Sequence, residues 1–326
     1  MRSLLLSHGQ APCITPEQDG LIAHASPRPY LAHAHRCPSL PTRVLTPALN
    51  MPDFAEEIAH DKDYIATVLA YHLGLTGPAE AVHCACSSSL VAIVRGVHAI
   101  RLGLCDVAIC GGVSLSADLP MRQVDGMIWS PDGVCRPFSD DASGTVTANG
   151  AAVVVITSGC CERQCYARIR GVGVNNDGNR KSSFSQPSHR GQVEVIQMAL
   201  ADAGMAASDV DFVECHGTGT RIGDPLELHA LAEVQRERPL SRRPLLVGSI
   251  KGHVGHMNTA AGAVSFVKAA LCAYHGEVPP SPHSERPNRL VDWEALPVQL
   301  AQTAHANVEC VGVSSFGIGG TNAHIL

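Results

Sequence analysis

From Asp61 onward the apolar positions follow regular periods, and those periods predict a succession of elements. In "KDYIATVLAYHLGL" the residues Tyr64, Val68, Leu69 and Leu73 form one helical stripe, and Thr76-Gly77-Pro78 predicts the turn that closes it. "AEAVHCAC" reads as a short strand. It runs into "SSSLVAIVRGVHAIRLGL", which is apolar on nearly every face and predicts a buried helix. "CDVAICGGV" and "GAAVVVITS" are apolar runs bounded by glycine, the pattern of strands covered on both faces.

A second series follows. Strand "YARIRGVGV", helix "RGQVEVIQMALADAG", strand "VDFVECHG", helix "DPLELHALAEV" and strand "PLLVGSI" come first. Helix "AAGAVSFVKAALCAYH" and strands "VECVGVSSFG" and "NAHIL" complete it. Strands alternating with helices predict mostly parallel sheets with helices on both faces. The natural seam between the two series is Ser158–Cys165, which divides the chain into 61–165 and 166–326. Residues 1–60 differ: they are rich in Pro and His and show neither period. This leader reads as a loop-rich lead-in, a disordered tail or a stretch whose reading frame has drifted, and no element is assigned to it.

Composition fits a globular α/β protein with a large core, built as one large domain or two fused halves. The chain has 326 residues, 45% hydrophobic and 17% charged, with a mean hydropathy of +0.07. A net charge of −6 and a pI near 6.3 argue against nucleic acid as the main partner. No apolar run reaches the ~18 residues of a membrane span. The opening "MRSLLL" is shorter than the roughly 7–15 apolar residues of a signal peptide. The expected compartment is the cytoplasm. Thirteen cysteines are scattered without paired CxxC blocks, so no metal is expected, and most read as small buried residues under reducing conditions.

Four segments carry residue types that packing does not require, and each falls at the end of a predicted strand. Cys86 begins the buried helix, where the dipole and free N–H groups favour a thiolate; the alternative is an ordinary buried thiol. In "ECHGTGTRIGDPLE" (214–227), His216 ends a strand, Thr218 and Thr220 sit on a tight loop, and Asp224-Pro225 starts a helix. The Gly-Lys-Ser/Thr ending of a Walker loop is absent. In "GSIKGHVGHMNTAAG" (248–262), Lys251, His253 and His256 lie between a strand and a small-residue helix, and Lys251 is expected to neutralise a carboxylate or support a histidine. "SSFGIGGTNAH" (314–324) is a glycine-dense turn able to donate N–H groups to an oxyanion. A nucleophile, two imidazoles and an oxyanion hole suit acyl-thioester chemistry.

Together these segments resemble the ketosynthase domain of type I modular polyketide synthases, in the β-ketoacyl synthase branch of the thiolase-like fold. "CACSSSL" is similar to the family's "TACSSSL", "ECHGTGTRIGDPLE" to "EAHGTGTxxGDPxE", and "KGHVGHMNTAAG" to "KSNIGHxxxAAG". "SSFGIGGTNAH" matches the closing turn, and "SPDGVCRPF" and "GVNNDGNRKSSFSQPS" are also close. The resemblance spans about Asp61 to Leu326.

It implies two similar α/β halves with mixed, mostly parallel five-stranded sheets in an αβαβα arrangement. The implied activity is decarboxylative Claisen condensation in polyketide or fatty-acid-like biosynthesis. An acyl group on Cys86 would condense with a malonyl-type unit on acyl carrier protein. His216 and His256 would promote decarboxylation and stabilise the enolate, and Lys251 would order the histidines. The backbone N–H groups of Cys86 and Ile318 would form the oxyanion hole. Thr218 and Thr220 would hold the phosphopantetheine arm, with Glu214, Asp224 and Asn322 in support. No bound cofactor is implied, and a homodimer is. Chalcone-synthase-like enzymes pair Cys with His and Asn, and chain-length factors lack the cysteine.

Three departures stand out. His83-Cys84 replaces Asp or Gln then Thr, Gly252-His253 replaces Ser-Asn, and the opening strands of the family are not legible in residues 1–60. The first half is therefore expected to lack those strands and to leave a sheet edge uncovered. The competing reading is a truncated, inactive remnant or a non-catalytic dimerisation module.

Overall fold

The computed structural model describes residues 21–24, 61–115, 128–159 and 165–326; the rest of the leader and most of the Ser158–Cys165 seam lie outside them. The strands are β1 (Leu21–His24), β2 (Val107–Ser114), β3 (Gly150–Thr157), β4 (Ala167–Ile169), β5 (Val172–Asn176) and β6 (Phe212–Glu214). They continue with β7 (Leu245–Gly248), β8 (Glu277–Val278), β9 (Val298–Leu300), β10 (His305–Ala306), β11 (Val311–Phe316) and β12 (Thr321–Ile325). The helices are α1 (Ile65–Leu73), α2 (Ser88–Arg101), α3 (His189–Ala203), α4 (Gly223–Val234), α5 (Lys251–Val254) and α6 (Ala261–His275).

Two larger sheets organise these elements, beside an antiparallel pair of β8 and β10. The first has the order β2-β3-β1-β4, and its pairs are antiparallel. The second has the order β5-β12-β11-β6-β7-β9. In it β11, β6, β7 and β9 are parallel neighbours, while β12 runs antiparallel to β11 and β5. The fold has mixed sheets within a layered α/β arrangement, as expected; among the described residues the two sheets have four and six strands, with parallel pairing in the second.

The all-apolar character of the Cys86 helix has its cause in the layering. α2 and α6 lie side by side between the two sheets, so Leu90, Ile93, Val94 and Val97 are enclosed from every direction. Each such side chain contributes roughly 1.5–3 kcal/mol relative to exposure. α3 and α4 cover the other face of the second sheet around Val195, Leu228, Leu231 and Leu245. The described residues form four layers of the implied αβαβα order. α3 starts at Ser188, whose hydroxyl accepts from the Gly191 N–H, and ends at Gly204 in the left-handed conformation.

The structure corrects three expectations. Residues 79–84 belong to no sheet, so "AEAVHCAC" is an extended approach and not a strand. A strand exists through its ladder, and apolar composition does not supply a neighbour. "YARIRGVGV" divides at Arg170-Gly171, with β4 in the first sheet and β5 in the second. The leader contributes β1, which pairs with both β3 and β4. Four residues are too short for a period to register.

The central helices approach closely where α6 carries Gly262. A Cβ there would lie 2.7 Å from both the Cβ and the backbone N of Leu90. Overpacking of this kind costs about 1–3 kcal/mol. Gly262→Ala is therefore expected to lower stability to urea by that amount, and an unchanged unfolding midpoint would show that the helices have room to part.

Candidate active site

The approach to Cys86 is a tight turn that consumes all three serines after it. Ala85–Ser87 form a 3-10 turn leading into α2, with Ala85 at φ 51°. The Ser87 hydroxyl donates to the Cys84 carbonyl at 2.9 Å. The Ser88 hydroxyl accepts from the Cys84 N–H at 2.9 Å and donates to the Ala85 carbonyl at 2.7 Å. Ser89 Oγ accepts from the Ala263 N–H at 2.9 Å and so ties α2 to α6. A left-handed residue outside glycine costs about 1–3 kcal/mol, and these bonds hold it in place.

The turn between β11 and β12 closes over Cys86 from the second sheet. The Ser315 hydroxyl donates to the Cys86 carbonyl at 2.9 Å. A Cβ on Gly317 would overlap the Cys84 carbonyl oxygen, so only glycine allows this approach. Cys86 itself is 7% exposed. Burial pushes its thiol above the usual value; the backbone N–H of Ile318, the Lys251 ammonium and Cys86's own N–H pull against that. The net direction is opposite to the one expected from a helix start, because desolvation outweighs the dipole at a site this enclosed. The two N–H groups expected to form an oxyanion hole nonetheless both bear on this sulfur.

Two imidazoles stand edge to face. His216 follows β6 and His256 follows α5, and their ring centroids are 5.5 Å apart at 86°. Burial, then the Lys251 ammonium, then His256 hold His216 well below the usual imidazole range, and burial and Lys251 hold His256 at about 3. Both rings are neutral at neutral pH. His253 points to solvent and does not join them.

The loop after His216 is organised by two carboxylates on α4. Glu227 accepts from the backbone N–H groups of His216 and Gly217 at 2.7 and 2.9 Å, one on each oxygen. Asp224 accepts from Phe138 N–H at 2.7 Å and Gly219 N–H at 3.1 Å. Burial raises Asp224 to about 6 and Glu227 to about 7, against the pull of those N–H groups. Between these anchors the half-buried Thr218 and Thr220 hydroxyls lie 3.3 Å apart.

Lys251 is 2% exposed, and its charge acts on Cys86, both histidines and Glu227. Of the two expectations for Lys251, support of a histidine is the one its surroundings favour; Glu214 pairs with Lys268 at 2.6 Å and accepts the Ile250 N–H at 2.7 Å. Asn322 donates to Asn175 and Asp177 at 3.0 and 2.7 Å, beside the glycine turn. Glu227 and Lys268 were not singled out in the sequence. The spacing from Asp224 to Glu227 placed both on one face of α4 and was the available signal for the first. The described residues contain no cluster suited to a metal ion and no helix long and apolar enough to cross a membrane.

Two family models match the chain: the N-terminal domain of beta-ketoacyl synthase over residues 49–159 and its C-terminal domain over 166–285. A phenolphthiocerol/phthiocerol polyketide synthase protein of Mycobacterium tuberculosis is 37% identical over 324 residues, 94% of this chain and 21% of that protein. Erythronolide synthase of Saccharopolyspora erythraea is 39% identical over 271 residues, 79% of this chain and 8% of its own. Among solved structures, the ketosynthase from module 1 of the Bacillus amyloliquefaciens bacillaene synthase matches with TM-score 0.78 and 34% identity. That match covers 87% of this chain and 51% of the solved one. The chain thus spans about a fifth or less of these curated relatives and about half of that ketosynthase.

Glu227 gives this site a pH signature. A carboxyl with a higher value folded than unfolded stabilises the fold below its unfolded value and loses that contribution as pH rises through its folded value. For Glu227 the window runs from about 4.5 to about 7. His216 and His256 act in the opposite sense, but they are common to parent and variant. The melting temperature of the parent relative to Glu227→Gln is expected to be higher at about pH 4.5 than at about pH 8. A constant difference would place Glu227 as ionised throughout.

Proposed function

The chain belongs to the β-ketoacyl synthase family, and from that premise we propose that it condenses acyl thioesters with loss of CO₂. The Cys86 thiolate attacks an acyl thioester, the carrier thiol leaves, and the acyl group stays on sulfur. A malonyl-type thioester then loses CO₂, and the resulting enolate carbon attacks the Cys86 thioester. The tetrahedral oxyanion collapses to a β-ketoacyl thioester on the carrier and a free Cys86 thiolate.

One observation carries this reading: the turn that holds Ile318 packs on the Cys84 carbonyl beside the buried Cys86, in a chain that also sets two imidazoles edge to face. N–H groups aimed at a developing oxyanion stabilise it without reorganisation. Neutral imidazoles donate a hydrogen bond to an enolate oxygen without first giving up a charge, and burial, then Lys251, keep them neutral. Thr218 and Thr220, whose hydroxyls are paired and half-buried, are assigned to the phosphopantetheine arm on the family resemblance. The reading includes acyl carrier protein as donor of both thioesters, which the relatives' identity as polyketide synthases supports. A homodimer in the cytoplasm without a bound cofactor rests on the family resemblance.

Two variants test the division of labour. Cys86→Ser is expected to abolish acyl loading from a thioester donor, read as the mass increment on the protein, because a serine hydroxyl is a far weaker acid than a thiol and stays protonated in an enclosed site. Loading at the parental rate would make Cys86 structural. His216→Ala or His256→Ala is expected to leave loading intact and slow malonyl decarboxylation ~10²–10³-fold. Equal loss of both steps in both variants would refute the separate roles.

A further inference from the structure

The segment from Asp177 to Phe184 has no part in the reaction just described, yet it buries a charge against the turn that carries Ile318. The side chains of Lys181 and Asp177 are 4% and 2% exposed and lie 3.5 Å apart. Ions are rarely enclosed this far without a task, because each loses its hydration. The other Asp177 oxygen accepts from Asn322 at 2.7 Å, and the Asp177 N–H donates to the Gly320 carbonyl at 2.9 Å.

The contact is with backbone. A Cβ on Gly320 would lie 2.8 Å from Lys181 Nζ and 3.0 Å from Asp177 Oδ2. On the adjacent Gly319 it would lie 3.3 Å from the ring of Phe184. The Lys181 ammonium sits 5.7 Å from the centroid of that ring. Phe184 is 76% exposed, so core packing does not account for its place. Gly319 and Gly320 stand at φ +101° and +96°, and the turn's own closure comes from Gly317 N–H to Thr321 O and Gly320 N–H to Gly317 O, each 2.8 Å. Glycines that free have many alternatives, and an external clamp selects among them.

We propose that Asp177, Lys181 and Phe184 are positioning residues that hold the Gly319-Gly320 backbone so that the Ile318 N–H stays directed at Cys86. The proposal rests on the assignment of Cys86 and Ile318 above and adds the device that sets their geometry. Lys181 acts through the turn: the cation that bears on Cys86 is Lys251. His216 and His256 are neutral and add no charge of their own near neutrality.

The test is the pH profile of iodoacetamide alkylation at Cys86, followed on its own peptide by mass spectrometry in the full chain. Lys181→Met keeps the length of the side chain and removes the ion. It is expected to raise the alkylation midpoint by about one unit, a loss of roughly tenfold in rate at neutral pH. Phe184→Ala is expected to shift the midpoint the same way by less, and Phe184→Tyr to leave it in place. An unchanged midpoint in folded Lys181→Met overturns the proposal. Should that variant not fold, an unchanged midpoint in Phe184→Ala overturns it. The readout needs no acyl substrate: a parent that takes no acyl group refutes the proposed function, while the alkylation midpoint still judges the clamp.

Discussion

The absence of a side chain at Gly317 is the constraint on which this site depends. It lets the β11–β12 turn rest on the Cys84 carbonyl, and through that contact the second sheet reaches the start of a helix that packs against the first. Ser315 adds a hydrogen bond to Cys86, and Ser89 binds the same helix to α6. The nucleophile candidate is therefore held by elements distant in sequence, and its strained approach at Ala85 is fixed by bonds on either side.

Electrostatics at the site are arranged by burial more than by pairing. Asp224 and Glu227 are enclosed with backbone N–H groups as partners, while Lys251 sits enclosed among histidines. Low dielectric strengthens each of these fields and makes an unmet group costly. The outcome is a pair of imidazoles kept neutral by desolvation and a neighbouring cation, and a thiol raised by the first and lowered by the second.

Much of this was legible in the sequence where residues repeat a period or form a spaced motif. The buried helix after Cys86 and the presence of strands at "CDVAICGGV" and "GAAVVVITS" followed from local text, but their cover on both faces did not hold among the described residues: β2 is an edge strand and Val153 of β3 is 44% exposed. What failed depended on partners that local text does not contain. "AEAVHCAC" has the composition of a strand without a ladder, and β1 has a ladder without a period. The direction of the Cys86 shift turns on depth, which is a property of the assembled layers. The pairing of Glu214 with Lys268 turns on α6 facing β6. His253, identical in type to its neighbour His256, faces outward from α5, whereas Gly255 at φ +71° ends that helix and turns the chain before His256.

The division of "YARIRGVGV" between the sheets has a mechanical meaning. β4 belongs to one sheet, β5 to the other, and only Arg170-Gly171 lies between them. Both of those residues donate to the Leu326 carbonyl, so the joint is braced. β5 then runs on into Asn176 and Asp177, whose bonds grip the Gly319-Gly320 turn. One short strand thus joins the seam between the two sheets to the turn that packs on the Cys84 carbonyl beside Cys86.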